Sequence, residues 1–528
     1  MLNWFKKRKI STTQSHVNGY NQLLRENRPE YIAQLRNELA NNTLNGVPLK
    51  TALNSPIQIC FHQFLVYRLI NFEFNIAILS AINHPEKKVY YPLPRLWREI
   101  LRKKGFKAPA IYNAIAWIKF NIKWYFVGIA TGVLEFFRIS TGTKIWQNEN
   151  AAFFENLYSN NLVQSKDKNA QTILDWFNLQ EEAKSIHTIF HSCKDSTDHT
   201  LDEKQISYID SAIPPIDSFS KFFKFFLWFI NLSFVALFSL QHRLLFRELI
   251  FEKLVKISSK KELNKYYLFH NSGHLLRPLW TYEAEKTGSQ IIFYFYSTNV
   301  SSFKVKGKAF IQDFQWQVVS WSNFWVWNKD QEGFLKSNVL GQFKTTIKGI
   351  IPFSISNKAF DLSKLKTKPF ILIFDVQPVN ENLYASLAPS VDFYSSKNMI
   401  TFLDWINQLA IKNNINIVIK RKRESLHISK NYSDKLNTLK QTHLWDELSP
   451  TIDTIFACKS LSPLASISIP YTSTACISNI YNIPSVYLDP TQMLDPDFKI
   501  NNGIPLVSSK EELFNWFESL NKKENKIR

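Results

Sequence analysis

The apolar positions change rhythm about halfway along the chain. Up to residue 261 they come in long runs without strand alternation, and residues 20–39, 57–82, 96–104, 112–138, 171–191 and 222–257 each read as helix. Residues 1–261 are therefore expected to form one mainly α-helical domain, with the polar stretch 195–217 and its Pro214-Pro215 pair as an internal loop. After residue 261, short apolar runs alternate with helical ones. Residues 266–269, 291–296 and 325–327 read as strands, 277–287 and 331–337 as helices, and 347–352 as a short closing strand. That βαβ alternation predicts a Rossmann-like domain over residues 262–353, followed by a linker at 354–368. A second alternation begins with Pro369-Phe-Ile-Leu-Ile-Phe-Asp375, apolar throughout as a strand covered on both faces should be. A helix at 397–413, a strand at 415–420, a helix or loop at 434–448 and a strand at 454–458 continue it, giving a second Rossmann-like domain over residues 369–528. The expected fold class is α/β, a pair of Rossmann-like domains with an N-terminal, mainly α-helical domain.

The most informative local segment closes that second alternation. Ser466-Ile-Ser-Ile is a β-favouring run stopped by Pro470, Thr472-Ser473-Thr474 is a run of hydroxyls, residues 475–481 read as a helix, and residues 484–488 as the next strand. A helix start offers unpaired N–H groups and the positive end of the helix dipole, so an anion placed there meets hydroxyl and amide donors together. Ordinary helix capping uses the same residue types, and the segment alone fits both readings.

Composition narrows the function classes. The 528 residues are 45% hydrophobic and 15% aromatic, with 43 Phe and only 13 Gly, which excludes a disordered or fibrous chain. A formal net charge of +20 favours nucleic acid, anionic lipid or phosphorylated small molecules as partners. Cys60, Cys193, Cys458 and Cys476 are widely spaced and form no CxxC pair, so neither a disulfide framework nor a cysteine zinc site is indicated. The first residues are basic but turn polar at once, without the apolar core of a secretory signal, and a cytoplasmic protein is expected.

Two apolar stretches add a membrane to that expectation. Residues 222–240 approach spanning length but contain Lys224, Asn231 and Ser233. Residues 111–137 carry Lys119 and Lys123 beside Trp117, Trp124, Tyr125 and Phe126, with Arg95, Arg98, Arg102, Lys103, Lys104 and Lys107 just upstream. Helices lying in a lipid interface, buried helices of an all-helical domain, and a true span all fit this pattern. Peripheral association with the inner membrane is the expectation carried forward.

In order along the chain, Arg277-Pro-Leu-Trp-Thr-Tyr-Glu-Ala-Glu285, Phe293-Tyr-Phe-Tyr-Ser-Thr-Asn299, Phe374-Asp-Val-Gln-Pro378, Ile469-Pro-Tyr-Thr-Ser-Thr-Ala475 and Pro484-Ser-Val-Tyr-Leu-Asp-Pro490 resemble the bacterial polysaccharide-biosynthesis proteins named for a Pro-Phe-Thr-Ser motif. The resemblance covers roughly the C-terminal half and is strongest for the motifs taken together. Tyr471 stands where the family has Phe, which keeps an aromatic and adds a hydroxyl. The resemblance implies a GT-B glycosyltransferase of capsule, lipopolysaccharide or a similar surface glycan, with a nucleotide-sugar donor as substrate and a glycan or lipid-linked glycan as acceptor. The motif is also similar to the hydroxyl pair that holds the donor phosphate in GT-B sialyltransferases, which would make a CMP-activated acidic sugar the donor.

Glycosyl transfer needs a stabilised leaving phosphate, a base for the acceptor hydroxyl and contacts that orient the sugar. Thr472, Ser473 and Thr474 are the candidate phosphate ligands. Lys420, first of the Lys-Arg-Lys-Arg423 run, stands at the C-terminal end of a predicted strand, where α/β sheets place ligands, and Gln377 and Pro378 follow another strand in the same way. Asp375 reads as a turn cap. For the base, Glu283 and His274 are the candidates, with Ser272, Gly273 and Asn299 as acceptor or sugar contacts. GT-B enzymes manage leaving-group charge with helix N-termini and side chains, so the resemblance implies that no metal or other cofactor is expected. His187, His191 and Cys193 read as structural, because no intervening Glu or further ligand accompanies them. Trp316, Trp321, Trp325 and Trp327 suit a core or a sugar platform. The alternatives are a polyol-phosphate or other transferase on the same fold, separable by nucleotide-selective thermal stabilisation, and a non-enzymatic nucleic-acid-binding or scaffold protein. The latter would show salt-sensitive DNA binding, and nucleic acid is not the expected partner.

Overall fold

The computed structural model of the protein describes residues 28–527 apart from 43–54, 70, 84–87, 139–148, 158–160, 163–171, 194–198, 202–203, 272–274, 299–303, 309, 311–313, 352–368, 377, 379–394, 422–427, 450–451 and 499–502. The N-terminal helices are α1 (Arg28–Asn41), α2 (Pro56–Tyr67), α3 (Phe72–Asn83), α4 (Arg95–Lys103) and α5 (Ala110–Arg138). Their starts follow local chemistry: the Ser55 hydroxyl accepts the Gln58 N–H at 3.4 Å, and Pro56 takes the first helical position, where its missing N–H costs nothing. Helix α2 docks on a segment more than 250 residues further along the chain, with the Gln63 amide donating to the Val318 carbonyl and the Ser320 hydroxyl at 2.7 Å each.

The first sheet has eight strands. They are β1 (Ala151–Phe154), β2 (Thr188–His191), β3 (His199–Leu201), β4 (Lys204–Tyr208), β5 (Tyr266–His270), β6 (Gln290–Tyr294), β7 (Asn323–Val326) and β8 (Lys344–Ile347). Their spatial order is β3-β4-β2-β1-β5-β6-β7-β8, and every neighbouring pair is parallel except β3 with β4. The helices associated with it are α6 (Phe219–Phe238), α7 (Phe246–Ile257), α8 (Trp280–Thr287) and α9 (Lys329–Asn338). The second sheet comprises β9 (Phe370–Phe374), β10 (Asn416–Lys420), β11 (Trp445–Leu448), β12 (Ala465–Ser468), β13 (Ser485–Leu488) and β14 (Leu506–Val507). It is parallel throughout, in the order β11-β10-β9-β12-β13-β14. Helices α10 (Ser396–Asn413), α11 (Lys430–Lys440), α12 (Thr454–Leu461), α13 (Ser473–Ile480) and α14 (Lys510–Ile527) accompany it. On one face Ile371, Ile373, Ile417 and Ile419 pack with Phe402, Ile406 and Phe517, and on the other Leu372 and Val418 pack with Ile455 and Ile477. Each such burial contributes about 1.5–3 kcal/mol. The expected GT-B-like pair of Rossmann-like sheets is thus present.

The expected helical unit ending at residue 261 is corrected by the four strands β1 to β4, which place residues 151–208 in the first sheet. The first Rossmann-like half therefore starts before residue 262. Ala151–Phe154 is buried on both faces, and such a strand has no alternation to separate it from helix. For the same reason His187 and His191 are not one helical turn apart: His187 precedes β2 and His191 ends it. The strand expected at 454–458 is instead helix α12, started by Asp453, whose carboxylate accepts the Phe456 N–H at 2.6 Å. Residues 445–448, expected as helix or loop, form edge strand β11, and the strand expected at 347–352 runs earlier, over β8.

Helices α5, α6 and α7 pack together through glycines. Cβ atoms at Gly128 and Gly132 of α5 would overlap the rings of Phe246 and Phe229, so only glycine permits this approach. The outer sides of α5 and α6 are apolar and open: Ile111 is 72% exposed, Phe126 63%, Phe219 81% and Phe238 76%. The alternative of buried core helices is corrected by this exposure. By length and composition alone, α6 could cross a bilayer.

Candidate functional site

Because the second sheet is parallel, the strand ends Leu448, Lys420, Phe374, Ser468 and Leu488 all lie along one edge, where α/β sheets bind ligands. The Ile469–Thr474 turn leaves β12 there. Tyr471 at its centre has φ 62°, a left-handed conformation that a non-glycine residue holds only when its surroundings impose it. The surroundings are evident: its buried ring packs edge-on against Tyr487 at 5.5 Å, and the Tyr487 hydroxyl donates to the Thr472 carbonyl at 3.2 Å. Burial, then Asp489 and Asp495, push the Tyr471 hydroxyl's pKa upward. The aromatic of the motif thus serves packing.

Thr472 occupies the N-cap position of α13 with extended backbone, yet its side chain does not cap the helix. Its hydroxyl donates instead to the Ile469 carbonyl at 3.0 Å and lies 3.1 Å from the Thr474 hydroxyl, which lies 3.2 Å from that of Ser468. The predicted hydroxyl cluster therefore exists, beside first-turn amides that no Thr472 side chain covers. That arrangement presents N–H donors and the positive helix end to an anion.

Ser473 has another engagement. Its hydroxyl accepts the Thr298 N–H at 3.0 Å and lies 3.0 Å from the Thr298 hydroxyl, which donates to the Tyr471 carbonyl at 3.1 Å. Thr298 is buried and follows β6 of the first sheet, so the motif turn is a junction between the two halves. The chain then straps itself further onto the second half. Lys304 pairs with Asp495 at 2.7 Å, the Lys306 N–H donates to the Met493 carbonyl at 2.8 Å, Val305 bridges Leu494, and Phe310 meets Phe498 at 5.3 Å. Sequence reasoning missed Thr298 as a site residue; its place one residue before Asn299 in the Phe293–Asn299 motif was the available signal.

Lys420 lies where expected, buried at the end of β10, with its ammonium 3.5 Å from the Arg421 carbonyl. Burial lowers its pKa, opposed by Asp453, Asp375 and Cys458. Asp375, expected as a turn cap, is a buried acid at the end of β9 that accepts the Tyr432 hydroxyl on Oδ2, while Oδ1 has no partner among the described residues. Burial pushes its pKa up to about 7 against the pull of Arg421, with Glu447 adding to the rise and Lys420 opposing it. Arg421 is paired with Glu447, which also holds Lys440 at 2.7 Å. Pro378 is buried and its carbonyl accepts the Ser429 N–H at 2.9 Å, tying together the loops after β9 and β10.

Gln377, His274, Ser272, Gly273 and Asn299 lie outside the described residues. Glu283 sits on α8 in an ion pair with Lys286 at 2.5 Å and close enough to Glu252 of α7 to raise that acid's pKa. These neighbours belong to the helical layer, and Glu283 is not brought together with Thr472, Thr474 or Lys420. Arg277 is buried, pairing with Glu285 at 2.6 Å and donating to the Thr281 hydroxyl at 2.9 Å, so that motif holds the first half together. The four tryptophans Trp316, Trp321, Trp325 and Trp327 are all buried and form core. His270, not singled out from sequence, ends β5 with Nε2 3.2 Å from the Asn156 carbonyl, between Tyr294 and Tyr296 at 5.5 Å each. No cluster of three or more His, Cys, Asp or Glu suited to a metal ion occurs among the described residues.

Solved structures align along most of the chain. A trehalose 6-phosphate synthase from Burkholderia multivorans shares 7% identity, with 71% of this chain and 91% of that one covered, at a TM-score of 0.37. A UDP-GlcNAc 2-epimerase from Methanocaldococcus jannaschii shares 10%, with 70% and 91% covered, at 0.35. A transferase from Siraitia grosvenorii in complex with UDP shares 9%, with 70% and 90% covered, at 0.37. No curated protein matches the sequence. The family described as polysaccharide biosynthesis PFTS motif protein matches residues 218–517, more than half of the chain and all of the site just described, and the protein belongs to that family.

Proposed function

We propose that the protein is a GT-B-type glycosyltransferase that moves a sugar from a nucleotide-sugar donor to a bacterial surface-glycan acceptor, working at the cytoplasmic surface of the inner membrane. The observation that carries this reading is the start of α13. There, uncapped amides and the hydroxyls of Thr472 and Thr474 face the ligand-binding edge of a parallel sheet. In the proposed complex they hold the donor phosphate as its charge grows, and the Lys420 ammonium at the neighbouring strand end adds positive potential. Ser473 is engaged with Thr298, so it joins donor and acceptor halves across the cleft. His274, in the segment directly after β5, is the base this reading retains, because Glu283 is held by Lys286. A CMP-activated acidic sugar is the proposed donor, and no metal has a step in the scheme. The open apolar sides of α5 and α6 supply the membrane contact.

Thermal stability in a panel of CMP, UDP, GDP and their sugars tests the donor. A bound nucleotide at a hundred times its Kd stabilises by about 2.7 kcal/mol, a readily measured Tm rise. Selective stabilisation by CMP, lost in Thr472→Val and Thr474→Ala, is expected together with loss of donor hydrolysis. Stabilisation by another nucleotide would replace the CMP assignment. No response to any nucleotide, or unchanged turnover in both variants, would remove the phosphate site.

A further inference from the structure

Between α6, α7 and the short helix Leu240–Leu244 lies a cavity of about 280 Å³ that the glycosyl-transfer scheme does not use. Its walls are of two kinds. Trp228 and Leu232 give it an apolar side, on the helix whose outer face carries the exposed Leu227, Ile230 and Phe234. Lys253 and Lys256 give it a basic side, beside the imidazole of His242. Lys253 lies over the Trp228 ring, 5.7 Å from its centre, and neither Lys253, Lys256 nor the nearby Lys224 forms an ion pair among the described residues.

That grouping places Lys256 and Lys224 within electrostatic reach of Lys253. Burial first, and then Lys256 and Lys224, lower the Lys253 pKa. One carboxylate shares the cavity, Glu252, and its pKa is raised by burial and by Glu283, with Lys256 and Lys286 opposing. His242 faces the cavity with its Nδ1 2.7 Å from the Ser239 hydroxyl, which fixes the ring. Ligand pockets run from roughly 300 to 1,000 Å³, so this one suits a polar headgroup and not a whole lipid.

We infer that this cavity binds the phosphate headgroup of a membrane lipid, with Lys253 and Lys256 on the phosphate and the acyl chains in the bilayer against which the outer face of α6 rests. The inference rests on the proposed membrane contact and deepens it: the helical layer holds a lipid by its phosphate in addition to resting its apolar side in the bilayer. Basic side chains beside an apolar helix face recognise anionic lipid in this way, each adding about 1 kcal/mol near the membrane surface, or roughly fivefold in affinity.

The test uses the full chain and two soluble probes, dihexanoyl phosphatidate and inorganic phosphate, measured by titration calorimetry. Saturable one-to-one phosphatidate binding is expected, weakened at least roughly tenfold in Lys253→Gln/Lys256→Gln and unchanged in Lys119→Gln/Lys123→Gln, which removes two exposed charges from α5. Circular dichroism confirms that the variants fold. Phosphate binding as tight as phosphatidate would overturn the lipid assignment. Absent phosphatidate binding, or equal weakening in both double variants, would overturn the site. Sedimentation with neutral and phosphatidylglycerol-containing vesicles reads the membrane contact separately: failure to bind any vesicle while soluble phosphatidate still binds would overturn the membrane reading and the inference that rests on it, leaving only a soluble-anion site.

Discussion

Replacing Ser473 with alanine should loosen the junction between the two sheets, and the structure sets the size of the effect. The Ser473 hydroxyl accepts the Thr298 N–H at 3.0 Å and meets the Thr298 hydroxyl at 3.0 Å, in a place where Thr298 is only 2% exposed. Alanine removes both contacts and leaves a buried amide without its acceptor, a loss of about 1–3 kcal/mol in a closed structure. Local opening lets water satisfy that amide, so the free energy of opening should fall by about 1–2 kcal/mol, which is a factor of roughly 5–30. Hydrogen exchange followed by mass spectrometry on a peptide covering residues 295–298 reads this directly, with a peptide from β9 as the unchanged control. Thr298→Val keeps the amide but loses the hydroxyl bond to the Tyr471 carbonyl, so its effect should be smaller, about 1 kcal/mol. Because the two variants share the hydroxyl–hydroxyl contact, the double variant should fall short of the sum by more than the roughly 0.5 kcal/mol scatter of independent sites. Exchange in Ser473→Ala within about twofold of wild type, well inside what a lost 1 kcal/mol allows, would refute the junction. Additive single effects would show that the two hydroxyls do not meet.

Arg277→Met removes one partner of an ion pair whose arginine side chain is 2% exposed, and should cost about 3–5 kcal/mol, far more than Glu285→Gln; urea midpoints compare them. Gly132→Val on α5 drives a side chain into the Phe229 ring and should cost about 1–3 kcal/mol through overpacking, seen as a lower Tm, whereas the same change at solvent-facing Gly333 of α9, where nothing lies within 4 Å, lacks that clash. Asp375 binds its proton up to about pH 7 when folded against an ordinary 3.8, so its stabilising contribution is complete below about pH 4 and is lost as pH rises through 7. Asp375→Asn should therefore flatten the fall in Tm between pH 4 and 7, and identical slopes for both proteins would contradict the buried acid.

The second half was readable from local pattern. Phe370–Phe374, Ser396–Asn413, Asn416–Lys420, Ser473–Ile480 and Ser485–Leu488 fall where periodicity, Pro470 and the hydroxyl run put them. The failures share a physical cause. Ala151–Phe154 is a four-residue strand buried on both faces, and Trp445–Leu448 is an edge strand carrying Asp446 and Glu447, so neither shows the alternation that marks a half-buried strand. In Thr454–Leu461 the β-branched and apolar residues suggested a strand, while the Asp453 cap decided for helix.

What the sequence by itself determined is the family, the parallel α/β character of residues 369–528, and the hydroxyl turn at a strand's end, because each depends on neighbours a few residues apart. Tertiary structure alone decided that Thr298 closes on Ser473 across 175 residues, that Arg421 is held by Glu447 while Lys420 stays at the site, and that Glu283 is turned into the helical layer. It also decided that α5 and α6, distant in sequence, leave their apolar sides open together. Such pairings depend on the path of the whole chain, in which loop closure brings remote residues together, and no local pattern of apolar and polar positions encodes that path.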